Sequence, residues 1–171
     1  MLAHPATATD VMASIQIDPA QPEDTPVILS LIRELAEFER LLHQVTATED
    51  ELREQLFVRR AAEVILARKE GEVAGFALFF QNFSTFLGKP GIYLEDLYVR
   101  PKYRGGGCGA ALLRHLARVA VERGCGRFEW SVLDWNQRAI DFYKSLGAEP
   151  LDEWTMYRVT GEALERLGRS E

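Results

Sequence analysis

A strand, a basic loop, a glycine cluster and a helix follow one another within residues 93–113, and this succession constrains the fold most. Residues 93–99 are apolar except for Glu95 and Asp96, which predicts a buried strand carrying two carboxylates. Glycines occupy four positions between 105 and 109, directly before a run with helical period. Backbone N–H groups at a helix N-terminus attract negative charge. The segment therefore predicts a strand followed by a helix whose first turn can bind a phosphate group.

The rest of the chain adds strands and helices on either side of this segment. Two β-rich runs, 63–67 and 73–81, flank Gly71 and predict an antiparallel hairpin. Helices are expected after Thr25 as N-cap, after Thr48 in a capping box with Glu51, after Asn136, and from residue 160. A further helix is expected after the glycine cluster, and its buried face would consist of Leu113, Leu116, Ala117, Ala120 and Val121. Further strands are expected at residues 14–17, 92–99, 126–133 and 154–159.

The predicted order of elements is β, α, α, β, β, β, α, β, α, β, α. Antiparallel hairpins followed by a strand–helix–strand crossover predict a mixed central sheet in an α+β or α/β layer fold. A chain of 171 residues is the size of one domain, and we expect that domain to span residues 14–171. Residues 1–13 are rich in Ala, Thr and Pro, which predicts a flexible leader.

Charge and cysteine content exclude several classes of protein. The net charge of −6 disfavours a nucleic-acid partner and suits a cationic substrate. Two cysteines and three histidines without metal-ligand spacing predict neither a disulfide framework nor a metal site. No segment has the composition of a secretory signal or a membrane span, so we expect a cytoplasmic protein without a membrane partner.

The glycine cluster also fits a dinucleotide-binding pattern, which must be weighed. Gly105, Gly107 and Ala110 match G-x-G-x-x-A, and Glu129 follows about twenty residues later. Residues 101–104 separate the strand from the glycines, however, and the upstream strands form hairpins rather than parallel units. A P-loop is disfavoured because no Gly-Lys-Ser or Gly-Lys-Thr follows. The sequence therefore fits neither a dinucleotide-binding fold nor a P-loop well, and another kind of phosphate-binding loop is favoured.

Arg104-x-x-Gly107-x-Gly109, placed directly after the strand that begins at Tyr93, resembles the acetyl-CoA signature of the GNAT superfamily of N-acetyltransferases. Residues 134–148 resemble the second signature of that superfamily, an asparagine-capped helix with a tyrosine near its end. The segments at 34–39, 44–45, 93–96, 135–136 and 142–144 are similar to the diamine (spermidine/spermine) and thialysine acetyltransferase branch. The resemblance covers about residues 15–167. It departs from the branch in a short hairpin at Gly71, in Phe38 where a tyrosine is usual, and in the extra leader.

The resemblance implies a GNAT-like acyl-CoA N-acyltransferase fold, with helices on both faces of the sheet, and acetyl-CoA as cosubstrate without a metal. It also implies a homodimer, with residues 154–159 as a plausible contact. Backbone amides of the glycine loop would hold the pyrophosphate, Arg104 could add a charged contact, and the edge of the strand would pair with pantetheine. The expected cofactor-binding residues are Leu97, Tyr98, Val99, Arg104, Gly105, Gly106, Gly107, Cys108, Gly109, Ala110, Asn136 and Tyr143.

Transfer of an acetyl group to an amine requires a proton acceptor, because aliphatic amines are protonated at pH 7. Glu95 is expected to accept this proton and Asp96 to bind the charged amine. Tyr143 is assigned by the resemblance as hydrogen-bond donor to the leaving thiolate. Further candidates for lining an amine channel, each with an ordinary surface or core explanation, are Glu39, Phe38, Glu129 and Trp135.

The sequence thus predicts an acetyl-CoA-dependent N-acetyltransferase that acts by direct attack of a small diamine, polyamine or thialysine-like amino acid. A protein N-terminal or lysine amino group is the alternative acceptor. A non-catalytic module that binds acyl-CoA as a sensor is the alternative of another class. The presence of both Glu95 and Tyr143 favours the enzyme.

Overall fold

The computed structural model describes residues 14–169, and a five-stranded mixed sheet organises the first part of this chain. Its strands lie side by side in sequence order: β1 (Gln16–Pro19), β2 (Glu63–Lys69), β3 (Glu72–Ser84), β4 (Lys89–Val99) and β5 (Arg127–Trp130). The first three pairings are antiparallel and the pairing of β4 with β5 is parallel. The predicted mixed sheet with N-terminal hairpins is confirmed. Residues 1–13, the expected leader, lie outside the described residues.

Five α-helices accompany the sheet in the described chain: α1 (Thr25–Phe38), α2 (Glu49–Arg53), α3 (Cys108–Glu122), α4 (Gln137–Ser145) and α5 (Gly161–Arg169). The chain divides into two compact units, of which the first ends at Ser131 and the second begins at Val132. The first unit contains the sheet with α1, α2 and α3. The second contains α4 and α5.

The hairpin between β2 and β3 is closed by two residues in the left-handed region. Glu70 has φ 55° and Gly71 has φ 80°, the conformation of the two-residue turns that match the twist of paired strands. The register pairs Lys69 with Glu72 directly across the turn. The hairpin predicted from Gly71 is therefore confirmed, and its tip carries charged side chains.

The two faces of the sheet pack against different helices. Ile28 and Leu31 of α1 form one buried cluster with side chains of β2, β3 and β4, including Phe76 and Tyr98. Alternate strand residues point to the other face, and α3 contacts all five strands with Leu112 and Leu116 fully buried. Burying each such leucine contributes about 1.5–3 kcal/mol of hydrophobic free energy. α1 and α3 therefore fix the two sides of β4.

Two expectations for the helices were wrong in detail. Thr25 is the first residue of α1 rather than its N-cap, since its buried hydroxyl donates to the carbonyl of Pro22 at 2.7 Å. The buried face of α3 includes Cys108 and Leu112, whereas Val121 is 79% exposed. Apolar residues surround most of α3, so their pattern alone does not select the face that meets the sheet.

The expected last strand at residues 154–159 is absent. These residues form no helix or strand, and Trp154 and Tyr157 are 76% and 91% exposed. The amide of Trp154 donates to the carbonyl of Leu151 in a turn instead of to a neighbouring strand. β-propensity reflects packing against neighbouring strands, and the described residues supply no strand partner here. The expectation of a strand was therefore wrong for this structure.

Candidate active site

The glycine loop before α3 has the open backbone that an anion site requires. Gly105 and Gly107 have φ 79° and 87°, a left-handed conformation that residues with a Cβ rarely adopt. No atom lies within 4 Å of a Cβ built on Gly105. The first amides of α3, from Cys108 to Ala110, have no carbonyl acceptor within the helix, as is general for the first turn of a helix. The loop can therefore accommodate a phosphate, and Cys108 would contribute only its backbone because its side chain is buried.

The edge of β4 beyond Leu94 is the second feature expected of a cofactor site. β5 pairs with β4 only from Gly91 to Leu94, whereas β4 continues to Val99. Within the first unit, residues 95–99 are hydrogen-bonded to a strand on the β3 side alone. The side chain of Tyr98 lies in the core, so a contact to a ligand would come from its backbone. This arrangement fits the expected pairing with the amides of pantetheine.

A β-bulge at Glu95 determines where the two acids of β4 point. Phe79 lies opposite Leu94 and Leu78 lies opposite Asp96, so Glu95 is the extra residue. The bulge resets the alternation of side chains along β4. Asp96 consequently lies on the same face of the sheet as Tyr98, whose side chain packs in the cluster with α1. Without the bulge, Leu94 would share that face as well.

The bulge brings Asp96 into an acidic group with Glu39 and Glu95. Burial raises the pKa of Asp96 to about 6, and the negative charges of Glu95 and Glu39 contribute further. Burial also raises the pKa of Glu39, which lies directly after the last residue of α1. Glu95 itself is exposed. Three carboxyl groups on adjoining positions create a local field that favours a cation.

Arg104 lies between the end of α1 and the end of β4. Its Nε donates to the carbonyl of Val99 at 2.8 Å, and its guanidinium lies 4.9 Å from the ring centre of Phe38 and 5.4 Å from that of Tyr98. Such stacking of a cation on aromatic rings is favourable. The contact brings Phe38, an expected substrate residue, next to the glycine loop. A contact of Arg104 with a phosphate stays a prediction.

An ion pair between Glu34 and Arg100 holds α1 against the start of this loop. Arg100 donates to both carboxylate oxygens of Glu34 at 2.8–3.1 Å and to the carbonyl of Val73 at 3.0 Å. Hydrogen bonding to Arg100 lowers the pKa of Glu34. Sequence reasoning did not find this pair, because no spacing rule connects residues 34 and 100. The pair positions the helix α1, which ends at Phe38 and is followed by Glu39.

Glu129 has partners of its own in the structure. It lies on β5 opposite Tyr93, accepts a hydrogen bond from Asn82 at 3.0 Å, and lies 2.9 Å from Nε of Arg127. Its role in binding an amine stays a prediction.

The remaining expected site residues belong to the second unit. Oδ1 of Asn136 accepts from the amide of Ala139 at 3.3 Å and caps α4, as predicted. Tyr143 lies on α4 with its ring centre 5.6 Å from that of Phe142. Trp135 precedes the cap and is largely exposed. Their roles in binding or catalysis stay predictions.

Lys69 is a residue near the glycine loop that sequence reasoning missed. Its Nζ lies 3.3 Å from the position that a Cβ on Gly106 would occupy. The signal that could have found it is the hairpin, because a two-residue turn at 70–71 fixes Lys69 at the tip of β2. The ammonium group thus lies against the loop that is expected to bind phosphate.

Two kinds of feature are absent from the described residues. Residues 14–169 contain no group of three His, Cys, Asp or Glu side chains arranged to hold a metal ion. No helix in that range is both long and apolar enough to cross a membrane.

Comparisons with known proteins agree on one family. Residues 28–148 match the family described as Acetyltransferase (GNAT) family. The chain is 42% identical to thialysine N-epsilon-acetyltransferase of Mus musculus, over 91% of this chain and 98% of that protein. It is 35% identical to L-ornithine N5-acetyltransferase NATA1 of Arabidopsis thaliana, over 88% of this chain and 86% of that protein.

A solved structure extends the agreement to the fold. An integron cassette protein from the mobile metagenome of V. cholerae superposes with a TM-score of 0.77 and 29% identity, covering 92% of this chain and 99% of that one. The family match spans most of the chain and includes β4, the glycine loop, α3 and α4. The chain therefore belongs to the GNAT family of acetyltransferases and is an N-acetyltransferase.

Proposed function

We propose that the protein transfers the acetyl group of acetyl-CoA to a primary amine of a small diamine, polyamine or thialysine-like amino acid. The observation that carries this proposal is the acidic group of Asp96, Glu39 and Glu95 close to the end of α1 and the glycine loop. Carboxylates in a partly buried position favour a cationic acceptor. The names of the thialysine and ornithine acetyltransferases, both similar to this chain, describe acceptors that carry a side-chain amine.

The residues of the first unit fit the cosubstrate. The open left-handed backbone at Gly105 and Gly107 suits the pyrophosphate, and the edge of β4 at residues 97–99 suits the amides of pantetheine. Bound acetyl-CoA would supply the acetyl thioester. The residues proposed to hold it are Leu97, Tyr98, Val99, Arg104, Gly105, Gly106, Gly107, Cys108, Gly109, Ala110, Asn136 and Tyr143.

The two acids of β4 are proposed to have different roles, one in binding the amine and one in accepting its proton. Asp96, on the α1 face, binds the ammonium form, and this cation restores the ionised carboxylate that burial disfavours. Glu95, exposed on the bulge, accepts the proton that the amine must lose before it attacks. The rings of Phe38 and Trp135 and the carboxylate of Glu39 are proposed to line the approach of the amine.

Tyr143 is proposed to donate a hydrogen bond to the thiolate that leaves when the amine is acylated. The resemblance of residues 134–148 to the second GNAT signature supports this role, and so does the helix α4, which Asn136 caps. Glu129, already paired with Arg127 and Asn82, is proposed only as an outer member of the amine site.

A competition assay tests the proposed acceptor class. Purified protein is given acetyl-CoA with an equimolar mixture of thialysine, ornithine, spermidine and a short peptide that has a free N-terminus and a lysine. We expect acetylation of the free small amines to dominate, with mass detection identifying the acetylated nitrogen. Dominant acetylation of the peptide would contradict the proposed class and favour the protein acceptor. Absence of coenzyme A release with any amine would favour a binding module.

We also propose a cytoplasmic homodimer. The resemblance supports the dimer, and so does the segment at 154–159, which carries Trp154, Met156, Tyr157 and Val159 in exposed positions without a strand partner in the described chain. A second copy could cover these side chains.

A further inference from the structure

Lys102, Arg104 and Lys69 lie next to the glycine loop, and the first two have partners within the protein. Lys102 donates to the carboxylate of Glu72, which also accepts from the hydroxyl of Tyr103. Arg104 donates to the carbonyl of Val99 and stacks on two rings. The third cation is Lys69. The structure gives its ammonium no carboxylate partner among residues 14–169.

The hairpin of β2 and β3 holds Lys69 in this position. Lys69 is the last residue of β2, it pairs with Glu72 across the turn, and it is half-buried. Glu72 is the acid directly opposite Lys69 in the hairpin, but its carboxylate accepts hydrogen bonds from Lys102 and Tyr103. The Nζ of Lys69 comes within 3.3 Å of the Cβ position of Gly106. The ammonium of this half-buried lysine, which has no carboxylate partner among residues 14–169, therefore lies against the loop that precedes the first amides of α3.

We propose that Lys69 binds the pyrophosphate of acetyl-CoA together with the amides of the glycine loop. The proposal rests on the cofactor role assigned to that loop above. Ammonium groups bind phosphate as point charges. A bound pyrophosphate would supply the negative charge that no carboxylate among residues 14–169 supplies to Lys69. The need for such a cation is large in this chain, because a net charge of −6 repels a polyanionic cosubstrate.

The role of Lys69 is tested by comparing three acetyl donors. Acetyl-CoA carries the pyrophosphate and the 3′-phosphate, 3′-dephospho-acetyl-CoA carries the pyrophosphate alone, and S-acetylpantetheine carries neither. The rate constant kcat/KM for each donor is measured at a saturating amine with Lys69→Met, Lys69→Arg and Lys89→Met. Lys89 is a matched control, because it begins β4 at the end of the strand remote from the loop.

We expect Lys69→Met to lower kcat/KM about ten-fold for acetyl-CoA and for the dephospho donor, and less than about two-fold for S-acetylpantetheine. Lys69→Arg should keep most of the wild-type value, since the charge remains. Lys89→Met should leave all three values unchanged. Equal losses with all three donors would overturn the proposal in favour of a structural role, and a loss confined to acetyl-CoA would assign Lys69 to the 3′-phosphate instead.

The same data separate this inference from the function on which it rests. If the wild-type protein uses acetyl-CoA no better than S-acetylpantetheine, the phosphate-binding role of the loop is wrong. If the wild type prefers acetyl-CoA and Lys69→Met keeps that preference, only the assignment of Lys69 is wrong.

Discussion

Asp96 and Glu95 are neighbours in the sequence, yet the structure gives them different environments. Strand neighbours ordinarily point to opposite faces of a sheet. The bulge puts Asp96 on the face that packs against α1, while Glu95 remains exposed. The sequence predicted a role for both acids at the amine, Glu95 as proton acceptor and Asp96 as binding residue. It could not predict which of the two is partly buried, because the bulge depends on the register between β3 and β4.

Replacing Asp96 by Asn should stabilise the fold at high pH. Folding raises the pKa of this carboxyl from 3.8 to about 6, so the folded state favours the protonated form. The stability that Asp96 contributes is greatest below pH 4 and is lost as the pH rises through 6. Asp96→Asn should therefore raise the free energy of unfolding by up to about 3 kcal/mol at pH 8 and by little at pH 4. Urea unfolding at both pH values measures the difference.

A matched variant and a kinetic readout complete this test. Glu23→Gln removes an exposed carboxyl and is the control for the loss of one negative charge. Asp96→Asn should also raise KM for the amine while leaving KM for acetyl-CoA unchanged, because the ammonium loses its counter-charge. A variant that is no more stable at pH 8, or that keeps the wild-type KM for the amine, would show that Asp96 is not a desolvated amine-binding carboxylate.

Elements that depend on local chemistry were predicted well. The capping box of Thr48 and Glu51 forms with hydrogen bonds of 2.9–3.3 Å and begins α2. Gly124 and Gly147 end α3 and α4 with φ 67° and 88°. These signals lie within a few residues of each other, so the sequence contains them directly.

Elements that depend on a distant partner were predicted less well. β3 and β4 extend beyond the strands predicted at residues 73–81 and 92–99, because they pair with each other as far as Ser84 and Lys89. The placement of Lys69 and the pair of Glu34 with Arg100 likewise require the folded sheet. The phosphate-binding half of the site was therefore evident in the sequence, whereas the contacts that surround it were not.

At the scale of the whole molecule, the exposed segment at 154–159 bears on assembly. Light scattering of the full chain at micromolar concentration should give twice the mass of one chain. Met156→Asp should shift the protein toward monomer by placing a charge in the proposed contact. Val58→Asp is the matched control, because Val58 and Met156 are 67% and 68% exposed. A monomeric wild type, or a dimer that Met156→Asp leaves intact, would contradict the proposed homodimer.

The central claim is that the acids of β4 and the tyrosine of α4 act in acetyl transfer from acetyl-CoA to an amine. The most direct test is the single-turnover rate of acetylation by Glu95→Gln and Tyr143→Phe, measured together with their affinity for acetyl-CoA. We expect each variant to lose about ten-fold or more in rate, the usual scale for acid or base assistance, and to keep acetyl-CoA affinity within a few-fold. Unchanged rates in both variants would contradict the account.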